Sequence, residues 1–195
     1  MSLLEGTSTN GEYGLSEKEM SMYEKLHFKI MSFVHDTLYG IFVNPYKLLN
    51  AAGLKPGQKV LEVGCGPGFF TIPAAKIVGA EGVVYALDVN PFAIETVRRK
   101  VEKEGLDNVK ILFADATRTG LPDESVDLAF LFGVIHALED VDAAMREMHR
   151  VLKANGILSV QKSWWSEKHL IDVVTRSKLF SFIERKNRIF KFNKV

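Results

Sequence analysis

A single cysteine, Cys65, stands in 195 residues, which rules out an intramolecular disulfide. No apolar run approaches the roughly 18 residues of a membrane-spanning helix, so no span is expected. Neither sign of charge dominates. The 25 Lys and Arg against 24 Asp and Glu leave a net charge of +1, which gives no reason to expect a nucleic-acid partner. The opening residues, Met1 to Asn10, lack the basic-then-apolar pattern of a secretion signal, and the cytoplasm is the expected compartment. No grouping of His, Cys and Asp has metal-ligand spacing, so no metal is expected. What remains has the length of about one domain, and its 47% hydrophobic residues suffice for a substantial core.

The most informative segment is Val60 to Thr71, Val-Leu-Glu-Val-Gly-Cys-Gly-Pro-Gly-Phe-Phe-Thr. An apolar strand signal (Val60, Leu61, Val63) runs into glycines at alternate positions, Gly64, Gly66 and Gly68, and a helical pattern follows from Phe69. Glycine lets the chain turn with positive φ and lets a ligand lie against bare backbone. The following helix offers free N–H groups and a partial positive charge. Such a turn is expected to hold a nucleotide-type cofactor. The dinucleotide fingerprint G-x-G-x-x-G is not met, because the third glycine comes one residue early. A P-loop would need Gly-Lys-Ser/Thr after the glycines, and none follows.

A second apolar strand, Val83 to Leu87, ends on Asp88, with Val89, Asn90 and Pro91 opening the next helix, which Gly105 stops. A carboxylate there can accept hydrogen bonds from both hydroxyls of a ribose. A third strand, Val109 to Phe113, reaches Ala114-Asp115-Ala116, and a fourth, Val126 to Phe132, follows Leu121-Pro-Asp-Glu-Ser. Aspartate is common at strand ends as a turn former. Acids at three successive strand ends, Glu62 before the glycine loop and Asp88 and Asp115 after it, are harder to assign to chance.

The pattern acid-x-Gly-x-Gly-x-Gly, from Glu62 to Gly68, resembles motif I of the class I S-adenosylmethionine-dependent methyltransferases. The resemblance runs from about Pro45 to Val195. It includes Leu121 to Phe130 as the entry to strand four, and Ala143 to Gly156 as the helix and turn into strand five, Ile157 to Val160. The chain is most similar to the small-molecule group that includes the ubiquinone/menaquinone-biosynthesis methyltransferases. Phe132-Gly-Val-Ile-His136 replaces the Asn-Pro-Pro-Tyr type of loop found in members that methylate amino groups of bases or glutamine.

The resemblance implies an α/β, Rossmann-like fold: a seven-stranded mixed sheet in the order 3-2-1-4-5-7-6, the last strand antiparallel, with helices on both faces. It implies S-adenosylmethionine as cofactor, S-adenosylhomocysteine as product, and a small-molecule methyl acceptor attacked in line. By the same resemblance Gly64, Gly66 and Gly68 face the methionine portion, and Glu62 orients their loop or meets the amino group through water. Asp88 holds the ribose, Val89 or Asn90 flanks the adenine, Asp115 with Ala116 reads the adenine edge, and Phe132 borders the sulfonium. Cys65 belongs to the same loop, and its side chain is expected to back onto the core, since transfer from a sulfonium needs no enzyme nucleophile. His136, just past strand four, is the candidate general base where an acceptor must lose a proton. His27 and His35 are weaker candidates. His149 and His169 are expected on helices facing away.

Three units are expected: a disordered lead (1–15), N-terminal helices (16–52) and a core domain (53–195). Ser16-x-x-Glu19 reads as a capping box for an amphipathic helix to about Leu38, and Pro45 to Ala52 as a short second helix. In the family such helices form a lid over the cofactor and a wall of the acceptor pocket; the alternatives are packing on the sheet or on a second subunit, and binding at a membrane surface, against which the mixed charge of the polar face argues. The tail reads as a helix opening at Trp164 and running to about Ser177. A β-hairpin follows, Leu179 to Ile183 and Arg188 to Phe192, turning at Glu184-Arg-Lys-Asn187, with its basic residues as a solvated edge. A compact acceptor, or a pocket completed in a homodimer, fits the lack of a large insertion after strand five. Two rival classes stay open: a non-catalytic domain binding the cofactor or a protein, and an NAD-dependent oxidoreductase, which would leave Asp115 without a role.

Overall fold

The computed structural model describes residues 43–195. The lead (1–15), the amphipathic helix over 16–38, His27 and His35 lie outside the described residues.

In chain order the elements are α1 (Pro45–Ala52), β1 (Lys59–Val63), α2 (Thr71–Val78), β2 (Val83–Asp88), α3 (Pro91–Glu104), β3 (Val109–Phe113) and β4 (Val126–Leu131). A 3-10 turn (Ile135–Ala137), α4 (Val141–Val151), β5 (Leu152–Gln161), α5 (Glu167–Thr175), β6 (Phe180–Lys186) and β7 (Ile189–Lys194) complete them. The strands form a seven-stranded sheet in the order 3-2-1-4-5-7-6, with β7 antiparallel to both neighbours, as expected. Helix boundaries follow local chemistry. Asn44 Oδ1 accepts from the Lys47 amide and Pro45 stands at the first helical position of α1, while Gly53 (φ 100°) ends it. Asn90, Pro91 and Gly105 do the same for α3.

The alternation of β1 divides the core. Leu61 and Val63 face one side with Met145 and Met148 of α4 and Leu170 and Val174 of α5. Val60 faces the other with Leu49 of α1, Ala74 and Val78 of α2, and Phe130. Helices therefore cover both faces, and each fully buried Val, Leu or Phe contributes roughly 1.5–3 kcal/mol. Helix α1 packs against α2 and β7, and the Ser159 hydroxyl donates to the Ala52 carbonyl at 2.8 Å.

Several boundaries differ from expectation, among them β5, which begins at Leu152 and takes in the residues expected as a turn before Ile157. Helix α2 starts at Thr71, not Phe69, because Gly68 and Phe69 still belong to the turn. Strand β4 ends at Leu131, so Phe132 leaves the sheet. Helix α5 begins at Glu167, where Ser166 Oγ accepts from the His169 amide and caps it; Trp164 and Trp165 precede it. In the hairpin, β6 continues through the polar run to Lys186, and the turn is Asn187-Arg188, with Asn187 in the left-handed region (φ 58°). A register shift between Phe182 and Glu184 accommodates the extra length.

Candidate functional site

The carboxyl ends of β1, β2 and β4 are tied together by backbone. The Gly64 and Cys65 amides both donate to the Leu87 carbonyl, at 2.8 and 3.0 Å, which folds the glycine loop over the end of β2. Gly64 has φ 72°, and a Cβ there would stand 2.7 Å from Val134 Cγ2, so only glycine lets the loop after β4 close against it. Gly66 also has positive φ (50°), but a Cβ there would meet nothing within 4 Å. Its bare backbone faces open space.

Asp88 joins the two loops. Its Oδ2 accepts from the Gly66 amide and its Oδ1 from the Asn90 amide, both at 2.8 Å. Each oxygen keeps a lone pair for another donor. Asp115 is held similarly, its Oδ1 accepting from the Thr117 amide (2.7 Å) and hydroxyl (2.6 Å). Those bonds, the hydroxyl's first, keep its carboxyl below the usual aspartate range.

Around these groups lies a cavity of about 660 Å³. Gly64, Cys65, Gly66, Asp88, Val89, Asp115, Ala116 and Phe132 are in its lining. Eight of the sequence-expected cofactor residues thus share one cavity. Gly68, Asn90 and Glu62 do not line it. Gly68 closes the turn by donating to the Cys65 carbonyl at 2.9 Å, and Asn90 caps α3. Glu62 is 2% exposed beneath the loop, accepting from the Thr71 hydroxyl at 2.6 Å. Burial, eased by the Thr71 bond and reinforced by Asp88, raises its pKa to about 8. Glu62 is thereby tied to Thr71, the first residue of α2. Cys65 packs beside Ala86 and Val97, and burial, with Glu62 and Asp88 nearby, pushes its thiol up, away from any nucleophilic role.

The walls that sequence reasoning missed come from after β4, where Val134, Leu138 and Ala143 close the cavity from the 3-10 turn and α4. Irregular backbone there carries no periodic signal. Four carboxylates line the cavity among the described residues, those of Asp88, Asp115, Glu139 and Asp140, and no Lys or Arg does.

A smaller cavity of about 380 Å³ adjoins it, sharing Phe70, Phe132 and Gly133. The Phe70 and Phe132 rings meet edge to face, centroids 5.0 Å apart. His136 belongs to this second space. Its ring lies 3.9 Å from that of Trp164, and its Nδ1 stands 3.3 Å from Ser163 Oγ. Arg188, an exposed residue of the hairpin turn, also lines it. His149 bonds the Val195 carbonyl and His169 packs on Trp165, both outside the two cavities, as expected. Helix α1 lines neither cavity. Among the described residues no cluster could hold a metal ion, and no helix is long and apolar enough to cross a membrane.

The sheet order, with the glycine loop after β1 and acids following β2 and β3, defines a Rossmann-like domain. A family described as "Methyltransferase domain" matches residues 54–190, and the chain belongs to it. It is 34% identical over 110 residues to the demethylmenaquinone methyltransferase of Geobacillus stearothermophilus, covering 56% of this chain and 47% of that protein. It is 34% identical over 113 residues to the ubiquinone/menaquinone biosynthesis C-methyltransferase UbiE of Vibrio vulnificus, covering 57% of this chain and 44% of the relative. The chain thus spans about half the length of these curated relatives. Among solved structures, a SAM dependent methyltransferase from Aquifex aeolicus superposes with a TM-score of 0.69 at 25% identity, over 87% of this chain and 97% of that one.

Proposed function

We propose that the protein is an S-adenosylmethionine-dependent methyltransferase acting on a small-molecule acceptor. The observation that carries this is the acidic cavity organised by Asp88. S-adenosylmethionine bears a sulfonium and an ammonium against one carboxylate, so it is a net cation. A cavity lined by four carboxylates and no cation suits it. The same lining is hostile to the pyrophosphate of a nicotinamide dinucleotide, which calls for basic side chains or free amides. The Gly66 amide, the natural donor, is already engaged by Asp88.

In this reading Gly64, Cys65 and Gly66 present backbone to the methionine portion. The remaining lone pairs of Asp88 take the ribose hydroxyls, Val89 packs beside the adenine and Asp115 with Ala116 meets its edge. The cofactor supplies an activated methyl group, and an acceptor takes it by in-line displacement. The protein's part is to align and to exclude water. Phe70 and Phe132, on the wall shared by the two cavities, border the reacting centre. His136, in the acceptor cavity beside Ser163, is the group placed to remove an acceptor proton. The quinone-biosynthesis relatives support a small cyclic acceptor.

Titration calorimetry with S-adenosylmethionine, S-adenosylhomocysteine and NAD⁺ tests this. Heat with the two adenosyl ligands, lost in Asp88→Ala, is the expected result. Heat with NAD⁺ alone would overturn it. Binding without turnover over a broad set of acceptors would favour a non-catalytic domain.

A further inference from the structure

The two adjoining cavities differ in charge. Among the described residues the larger has four carboxylates and no Lys or Arg, and the smaller has Lys162 and Arg188 and no carboxylate. The smaller is otherwise aromatic and apolar over much of its wall, with Phe70, Phe132, His136 and Trp164. Trp164 is 74% exposed and projects a large apolar surface that the described residues leave uncovered except for the His136 ring.

The fold builds this cationic wall deliberately close to the shared partition. Strand β5 ends at Gln161, and Lys162 follows it. The antiparallel insertion of β7 beside β5 brings the hairpin turn to the same end of the sheet. There the Lys162 amide donates to the Arg188 carbonyl at 2.8 Å, and Arg188 returns two guanidinium bonds to the Lys162 carbonyl, Nη2 at 3.0 Å and Nε at 3.3 Å. This clamp orients the guanidinium without neutralising it, because its only partner there is a carbonyl. Neither Arg188 nor Lys162 pairs with a carboxylate among the described residues, although Arg150, Arg176, Arg185, Lys191 and Lys194 all do. Two cations without a carboxylate partner among the described residues, lining a cavity together with aromatic side chains, form a recognition pattern for a planar anion.

We propose, building on the methyl-transfer reading above, that the smaller cavity takes a planar aromatic acceptor carrying an anionic oxygen, a carboxylate or a phenolate, which Arg188 and Lys162 hold. Rings stack between Trp164 and the Phe70–Phe132 partition, and the anion sits against the clamp. The two cavities then hold opposite charges side by side: the cationic cofactor in the acidic one and the anionic acceptor in the basic one. Arg188 and Lys162 are specificity-determining residues in this arrangement, and the hairpin is part of the acceptor site rather than an edge.

The test uses the full chain saturated with S-adenosylhomocysteine and follows, by calorimetry, naphthoate, its uncharged isostere naphthamide, and nitrophenolate. Naphthoate or nitrophenolate is expected to bind about tenfold more tightly than naphthamide, the scale of one charge-assisted hydrogen bond. Preference for naphthoate assigns a carboxylate and preference for nitrophenolate assigns a phenolate oxygen. The anion preference should vanish in the Arg188→Met, Lys162→Met double variant and survive in Arg188→Lys, with S-adenosylhomocysteine binding as the control for folding. Equal affinity for all three probes, binding of none of them, or a preference that survives the double variant would overturn the proposal. If S-adenosylhomocysteine itself gives no heat, the methyltransferase reading fails. The acid-against-amide comparison on the unliganded protein then still decides the anion pocket.

Discussion

The Gly66 amide donates to Asp88 Oδ2 at 2.8 Å, joining positions 22 residues apart in the chain. That bond holds the loop after β1 against the end of β2, so in the proposed reading the ribose meets a carboxylate that the loop itself helps to fix. Preorganisation of this kind removes an ordering cost from binding.

The two glycines of the β1 loop that line the cavity, Gly64 and Gly66, should respond differently to alanine. Gly66→Ala places a Cβ into open space, so it costs only the left-handed strain of about 1–2 kcal/mol in stability while obstructing the ligand. Gly64→Ala adds a collision with Val134 and should lose roughly another 1–3 kcal/mol. Denaturant unfolding beside calorimetry with S-adenosylhomocysteine separates them. Equal unfolding midpoints for the two variants would contradict the geometry.

Glu62 should make the protein less stable as pH rises. Its carboxyl has a folded pKa of about 8 against an ordinary 4.5, so between those values the folded state holds a proton that the unfolded chain has released. Stability from this group is complete below about 4.5 and is lost as pH climbs towards about 8. Glu62→Gln, which keeps an acceptor for Thr71, should flatten that part of the profile in urea unfolding across pH.

Glu147 should act in the opposite sense. Its burial works to raise the pKa, but hydrogen bonds from Arg150 and Thr119 prevail and hold it at about 2. The stability it confers is present above its ordinary 4.5 and is lost as pH falls towards 2. Both Thr119 and Arg150 lean on it, the latter also reaching Asp123 and the Leu121 carbonyl. Glu147→Gln should therefore cost on the order of 1–3 kcal/mol at neutral pH. A variant as stable as the parent by thermal unfolding would show that the network contributes little.

Cys65 should resist thiol reagents in the native protein. It is 3% exposed and its thiol is pushed well above the ordinary value by burial. Iodoacetamide labelling is expected only at the rate of unfolding, and to slow further with S-adenosylhomocysteine bound. Rapid labelling of the folded protein would place the sulfur in the cavity as an accessible group.

His136→Gln should lower kcat by roughly a hundredfold or more for an acceptor that must lose a proton, with S-adenosylmethionine affinity unchanged. An acceptor already ionised should show almost no loss. Steady-state rates against pH for both kinds of acceptor distinguish a proton-removing role from a merely structural one.

The particulars that could be read in the chain were those governed by neighbours a few residues apart. Gly64, Gly66 and Gly68 follow an apolar strand, Asp88 and Asp115 follow two more, and Asn90 opens a helix that it caps through a bond to the Phe92 amide. Strand order followed from the resemblance that these signals carried. The hairpin turn was misplaced because a polar run has the same composition on an exposed edge strand as in a loop, and only the pairing with β7 separates the two.

By itself, then, the sequence determined the fold class, the glycine loop and the acids that border one cavity, because local backbone conformation and strand periodicity are written in short windows. Tertiary structure alone decided that Glu62 lies beneath the loop, bonded to Thr71 and outside the cavity. It also decided that Trp164 and Arg188 join His136 around a second one. These depend on which strand ends the sheet brings together, and the physical reason is long-range. The β7 insertion carries a turn from the end of the chain to the mouth of β4 and β5, a juxtaposition that no spacing of residues along the chain encodes.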